Sequence, residues 1–343
     1  MATVFKTFLN GDVAPIRSLL HEAIPITGSI VSGTYADNNI KNYSHGMFQS
    51  VFDYPYLSSS ANHMFDLTVG YSPQSVLSSS ASNQNAKKIN LYNQMAQILV
   101  GHDVTGGILQ FDRDGDIVAG GGKLKEVVFI NFARLLAKDE IKKGSFALQL
   151  GTTFRHSASL TEILTLTDTN AQNDFRINSP AGEYAPLFTS STGITSDTGV
   201  GLVFYQAGIA VVSASVFAGV QFSGSLSASQ DVDNALTSST IENISNSFRH
   251  RFADLDFNNT TELNSTVYFC RVHHNEYNYS SNPTYLSESK IRVKNNTVDE
   301  PVSYITSIGL YSADNELLAV AKLSEPIKKT PQNESTFRVR LDY

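Results

Sequence analysis

Apolar residues recur along this chain in two periods, and each predicts a different element. Leu91, Met95, Ile98 and Leu99 repeat at i, i+4, i+7 and i+8, which places a stripe on one face of a helix running from about Asn83 to Val100, where Gly101 ends it. Ile241, Ile244, Phe248 and Phe252 fall at i, i+3, i+7 and i+11 and predict a short amphipathic helix over 241–254. A third short helix is expected near 125–143, although the opening of that run, Lys125-Glu-Val-Val-Phe-Ile, reads equally well as a buried strand. Arg17-Ser-Leu-Leu-His-Glu-Ala has the length for two helical turns before Pro25.

Period-two patterns dominate the rest. Ser145-Phe-Ala-Leu-Gln-Leu alternates, and Gly201-Leu-Val-Phe-Tyr-Gln and Gly208-Ile-Ala-Val-Val-Ser read as buried strands. Asp114-Gly115 between two apolar arms predicts a β-hairpin within 106–119. The last hundred residues are the clearest. Strands are expected at Ser265–Val272, at Ile291-Arg-Val-Lys, and at Thr336–Tyr343, where Phe337, Val339 and Leu341 face one way and Arg338, Arg340 and Asp342 the other. Residues 304–311 and 317–323 flank Asp314-Asn315 and should pair as a hairpin, with all strands from 264 to 343 in one antiparallel sheet. The expected fold is therefore mainly β with a few short helices: antiparallel sheets in a β-sandwich-like arrangement, with α+β elements in the N-terminal half. The Ser-rich stretch 223–240 is read as a loop or boundary between an N-terminal region, 1–222, and a C-terminal antiparallel β region, 241–343. No fixed-period repeat suggests a solenoid or propeller.

Composition sharpens this picture. The chain has 343 residues, of which 41% are hydrophobic and only 17% charged. That is enough apolar material for a core and too little charge for disorder. The net charge of -7 and the absence of a basic run argue against a nucleic-acid partner. The start, Met-Ala-Thr-Val-Phe-Lys, lacks the apolar stretch of a signal peptide, and no stretch approaches 18 apolar residues, so no membrane span is expected and folding in a cytoplasm is. Cys270 is the only cysteine. It excludes an intramolecular disulfide and, in its strand-like surroundings, reads as an inert core thiol.

Motifs that carry chemistry fail on inspection. Asp112-Arg-Asp-Gly-Asp116 has oxygens at alternate positions, as a calcium loop does, but a 12-residue loop from Asp112 would need glutamate where Lys123 stands. A solvated turn is the simpler reading. His273 and His274 would point to opposite faces of a strand, and a loop bringing them together offers no evident third ligand. Gly120-Gly-Gly-Lys123 is followed by Leu124, not the Ser or Thr of a phosphate-binding loop. No Gly-x-Ser-x-Gly occurs, and no carboxylate pair stands out for acid–base work. No catalytic residue, metal ligand or cofactor is therefore assigned, and the chain is not expected to be an enzyme.

What remains is a set of aromatic residues in low-charge, Asn- and Ser-rich segments, a composition suited to protein–protein contact. Phe48, Phe52, Tyr54 and Tyr56 in residues 40–60 are the first interface candidates, and Tyr277, Tyr279 and Tyr285 the second.

Three runs carry a family resemblance. Ile40-Lys-Asn-Tyr-Ser-His-Gly-Met-Phe-Gln-Ser-Val-Phe-Asp-Tyr-Pro-Tyr-Leu, Ile89-Asn-Leu-Tyr-Asn-Gln-Met-Ala-Gln, and Tyr304-Ile-Thr-Ser-Ile-Gly-Leu-Tyr with Asn315-Glu-Leu-Leu-Ala-Val-Ala-Lys-Leu-Ser-Glu-Pro-Ile-Lys-Lys are similar to an uncharacterised family of virion structural proteins encoded by T4-like, contractile-tailed marine phages, cyanophages among them. The resemblance covers both ends and part of the middle and transfers no functional residue. It implies a virion protein assembled in the host cytoplasm. The favoured place is the tail or baseplate, in a symmetric homo-oligomer contacting other virion proteins. The alternatives are a neck or capsid-surface decoration protein, or a receptor- or carbohydrate-binding fibre component.

Overall fold

The computed structural model describes residues 5–21, 37–79, 82–116, 121–153, 160–189, 199–222, 230–279, 286–287, 290–291, 298 and 300–343. In chain order, the strands and helices begin with β1 (Val13–His21), β2 (Ile40–Asn42), β3 (Gln49–Phe52), β4 (His63–Tyr71), α1 (Asn83–Leu99), β5 (Glu126–Phe132), α2 (Arg134–Ala137) and β6 (Glu140–Ile141). Then come β7 (Ala147–Gly151), β8 (Ile163–Thr167), β9 (Arg176–Ser179), β10 (Gly182–Thr189), β11 (Gly201–Phe204) and β12 (Ile209–Ser213). They are followed by α3 (Val232–Ser238), α4 (Ile241–Arg249), β13 (Phe252–Asp256) and β14 (Asn259–Val272). The last are β15 (Leu286–Ser287), β16 (Lys290–Ile291), β17 (Ser303–Tyr311), β18 (Leu317–Lys329) and β19 (Ser335–Asp342). The protein is mainly β, as the period-two patterns predict. It divides into two compact units, Leu19–Glu262 and a smaller one of Met1–Ser18 with Leu263–Tyr343. The chain therefore passes from one unit to the other at 18–19 and again at 262–263. The expected boundary at 223–240 lies within the larger unit, and its described residues carry α3.

The larger unit is organised by a sheet in the order β13-β7-β8-β10-β11-β12-β5-β4-β3-β2, with β9 beside β10. Every step along it is antiparallel. Its central strands are apolar on both faces, because both faces are covered. One face packs Tyr92, Ala96 and Leu99 of α1 against Val127, Phe129, Leu202 and Phe204. The other places Phe65, Leu67, Ile130 and Val212 in a core with Leu148, Leu150 and Leu166 of β7 and β8 and with Ile241, Ile244 and Phe248 of α4. A sandwich-like arrangement results. Helix α1 approaches β4 closely at Gly70, where an added Cβ would lie 2.9 Å from the Lys88 carbonyl and 3.0 Å from the Tyr92 nitrogen.

Caps explain the helix starts. Ser82, Asp231 and Thr240 accept hydrogen bonds from the backbone N–H groups of Asn85, Asn234 and Asn243. Three sequence expectations change. The 125–143 run is not a helix but β5, one turn of α2, and β6, since its apolar run pairs with β4 and β12 in the sheet centre. Arg17–His21 belongs to β1, a strand beside β14, rather than to a helix. Around Asp114-Gly115 the described ladder is wider than a tight hairpin, since Asp112 faces Lys123 and Leu124 N–H donates to the Phe111 carbonyl at 2.9 Å, while residues 117–119 of the expected second arm lie outside the described residues.

In the smaller unit, β14 pairs along Ser265–Val272 with β19 from Ser335 to Asp342, confirming the alternating C-terminal strand. The expected single C-terminal sheet is not formed. β17 and β18 pair with each other as a separate two-stranded ribbon, and β15 with β16 as another short pair. Of the expected strand at 291–294, residues 292–294 lie outside the described residues. Cys270 is on β14 as predicted but only half-buried, so it is not a core thiol. Burial, and then the Asp12 carboxylate, raise its pKa.

Candidate interaction surface

The ribbon is the most unusual surface of the smaller unit. Its pairing runs from Ser303–Lys329 to Tyr311–Leu317, with register breaks between Ile305 and Ser307 and between Leu310 and Tyr311. At both breaks the extra residues are on β18, since two steps on β17 from Ile305 to Ser307 correspond to a jump from Ile327 to Lys322. β17 is thus the regular strand and β18 the bulged one. The base is fixed to its own unit. Lys329, fully buried, donates to the His274 carbonyl (3.1 Å), Asn278 Oδ1 (2.7 Å) and the Thr330 carbonyl (2.8 Å), and Ser303 Oγ donates to the Tyr277 carbonyl. Away from the base Leu310 is buried and Ile305 and Ile308 are half-buried, but many of the ribbon's other apolar side chains are exposed. Tyr304 is 61% exposed, Leu317 53%, Leu318 68% and Val320 53%, with Tyr311 and Ile327 also exposed. At the far end the Phe5 ring lies 4.6 Å from that of Tyr311. A two-stranded ribbon is marginal alone in water, and leaving such side chains uncovered adds to that cost.

The sequence candidates fall elsewhere. Phe48 and Phe52 are half-buried, and Tyr54 and Tyr56 are exposed. They do not form one patch. Phe48 joins Tyr43 and His45, with ring centroids 4.9 and 5.0 Å away, whereas Phe52 meets Tyr56 at 6.3 Å and His63 at 5.4 Å. Asp66 stands behind, accepting from Ser50 Oγ at 2.5 Å and bonded to His63 Nε2 at 2.8 Å. That bond to Asp66 is the main reason the His63 pKa is raised. Tyr277 and Tyr279 are exposed, and Tyr285 lies outside the described residues. The ribbon was not among the candidates. Its signal in the sequence was Leu317-Leu318-Ala-Val320, apolar residues on successive positions of a strand bounded by turn residues.

Titratable groups cluster in three other places. Asp112, Asp114 and Asp116 have carboxylate oxygens within 4.8 Å of one another, the one such group of three metal-capable side chains among the described residues. Asp112 is buried and paired with the Lys123 ammonium. Burial raises its pKa, against the lowering by Lys123. The turn therefore carries its own cation. Asp168, also buried, accepts from Tyr205 OH at 2.8 Å and from the backbone of Gly144 and Phe146 at 2.7 and 3.0 Å, and burial still pushes its pKa up to about 6. Every one of these partners orders local structure. In the smaller unit β14 ends at Val272, so His273 and His274 sit in a turn, where their Nδ1 atoms lie 4.0 and 3.2 Å from the same Glu334 oxygen. The hydrogen bond from His274 is the main cause of the lowered Glu334 pKa.

Concavities offer little beside these. A depression of about 470 Å³ is lined by Gly219, Gln221, Gln230, Asp231 and Asn234 among the described residues, and the Asp231 carboxylate is occupied in capping α3. Comparisons add no relative: no protein-family model, no curated protein and no solved structure matches the chain.

Proposed function

We propose that this chain is a non-enzymatic structural protein of a virion, part of the tail or baseplate of a contractile-tailed phage, that acts through protein–protein contacts in a symmetric assembly. The observation that carries this reading is the β17–β18 ribbon, whose exposed tyrosine, leucine and valine side chains suit burial by a neighbour better than permanent hydration. The resemblance of the 40–57, 89–97, 304–311 and 315–329 runs to phage structural proteins supports the particle as the setting. A second reading, a receptor- or carbohydrate-binding component, is favoured by the half-exposed rings of Phe52, Tyr56 and His63 beside the Asp66 carboxylate, since sugar faces stack on rings while their hydroxyls bond to acids.

Mass spectrometry of gradient-purified particles, followed by antibody labelling in electron microscopy, tests the first reading. The protein is expected at a stoichiometric level on the tail or baseplate. Its absence from purified particles ends the proposal. Binding on a glycan array, with loss on Phe52→Ala, would favour the second reading, and turnover in a polysaccharide-hydrolysis screen would contradict both.

A further inference from the structure

The two edges of the ribbon differ in a way that says which one is used. Natural sheets protect free edges with lysine, proline and bulges. β18 has all three: Lys322 and Lys328, with Glu325, Pro326 and both register breaks. β17, Ser303-Tyr-Ile-Thr-Ser-Ile-Gly-Leu-Tyr311, carries no charge and no proline and runs without an inserted residue. Among the described residues β18 is the one strand it pairs with. Among the described residues its other edge pairs with no strand and offers backbone N–H and C=O groups to a further one.

We infer that β17 is a homodimerisation strand, whose outer edge pairs antiparallel with β17 of a second copy about a two-fold axis at Ser307. The strand is self-complementary in that register. Tyr304 falls opposite Leu310, Thr306 opposite Ile308, and Ile305 opposite Gly309, with Ser307 opposite itself. Aromatic, aliphatic and β-branched residues meet, no like charges face each other despite the chain's net charge of -7, and the Ile305 side chain covers the strand where Gly309 has none. An isologous contact of this kind needs one surface only. It also resolves the weakness of a two-stranded ribbon, since β18-β17-β17-β18 across two copies is a four-stranded sheet, above the minimum for an independently stable one. Nothing in β17 selects a foreign strand over its own.

The test uses the full chain. Sedimentation velocity between about 1 and 100 μM should show a concentration-dependent dimer. Ser307→Cys should form a covalent dimer on mild oxidation, because directly opposed residues in antiparallel strands have Cα atoms about 4.5–5.5 Å apart, within disulfide reach. Ser324→Cys, in the bulged part of β18, should not, and the unsubstituted chain controls for Cys270. Thr306→Lys, which brings like charges together across the axis, should weaken the dimer roughly tenfold or more while leaving the melting temperature of the monomer unchanged. The inference is overturned by a chain that stays monomeric across the range. It is equally overturned by a dimer that Thr306→Lys leaves intact, or by Ser324→Cys cross-linking as readily as Ser307→Cys. It uses the assembly reading only in treating the ribbon as a contact surface. The outcomes separate: a dimer absent from particles removes the virion role alone, and a monomeric particle protein removes the pairing alone.

Discussion

The central sheet of the larger unit and the β17–β18 ribbon of the smaller one are made of similar strands and meet opposite fates. β5 and β12 are apolar at almost every position, and both of their faces are sealed, by α1 on one side and by β7, β8 and α4 on the other. β17 and β18 also carry Ile, Leu, Val and Tyr, though more sparsely, and Tyr304, Tyr311, Leu317, Leu318, Val320 and Ile327 among them remain exposed. Composition alone therefore does not decide whether a strand is core. What decides it is whether the chain supplies a second layer. The larger unit supplies two, while among the described residues the ribbon is covered only in part, at Leu310 and more loosely at Ile305 and Ile308. Strands of the first kind hold a fold together, and strands of the second kind await a partner.

The sharpest way to break this contrast is to truncate one side chain of each kind. Phe129 is fully buried on β5, with its ring 5.7 Å from Phe111 and 6.4 Å from Tyr92. Phe129→Ala should cost about 3–5 kcal/mol in urea denaturation, the sum of lost transfer energy and a cavity between helix and sheet. A loss below about 1 kcal/mol would mean that α1 is not seated on the sheet as described.

How far the sequence displays this contrast depends on what each pattern encodes. Helix α4 was legible in its stripe, because Ile241, Ile244 and Phe248 point to one core and all are buried, but it ends at Arg249, and Phe252, the last residue of the expected 241–254 helix stripe, opens β13 instead. α1 was legible in extent but not in detail. The helix buries Leu91, Tyr92, Ala96 and Leu99, while Ile98, part of the expected stripe, is 63% exposed. β5 was ambiguous because a strand covered on both faces loses its alternation, leaving an apolar run that a buried helix shares. α3 was hidden by composition, since Val232-Asp-Asn-Ala-Leu-Thr-Ser looks like loop, and only Asp231 as an N-cap residue marks its start. The hairpin 304–323 was legible as strands, but its exposure was not. Period-two alternation reports which face a side chain takes and says nothing about whether anything covers that face. For the same reason aromatic content pointed to residues 40–60, whereas six exposed large apolar residues, Tyr304, Tyr311, Leu317, Leu318, Val320 and Ile327, lie together on the ribbon.

A buried carboxylate sharpens the comparison from the polar side. Asp168 holds its pKa at about 6 against an ordinary 3.8, burial being the main cause, with its hydrogen bonds from Tyr205, Gly144 and Phe146 opposing it. The folded state thus binds the proton more tightly than the unfolded chain. The contribution of this group is most favourable below about pH 4, falls as pH rises through about 6, and is constant above that. The change amounts to roughly 3 kcal/mol at most. The stability difference between the wild type and Asp168→Asn should therefore shrink in favour of the variant between pH 4 and pH 6.5, measured by urea denaturation at each pH. A difference independent of pH would show that Asp168 is more hydrated than its 1% exposure implies.

The smallest expected effect on stability tests the ribbon itself. Leu318 is 68% exposed and Val320 53%, so neither has a packing layer to lose. Replacing an exposed side chain away from caps, networks and strained backbone changes stability by no more than about 0.5 kcal/mol. Leu318→Ser with Val320→Thr should therefore leave the urea midpoint of the isolated chain within that margin, since threonine keeps the β-branch that suits a strand. The same pair of substitutions should lower binding of a hydrophobic dye by the native protein and reduce incorporation into particles, because the surface a neighbour would cover becomes polar. A substantial destabilisation would show that these side chains are packed within their own unit. In that case the ribbon belongs with the covered sheet of the larger unit, and the contrast drawn between them fails.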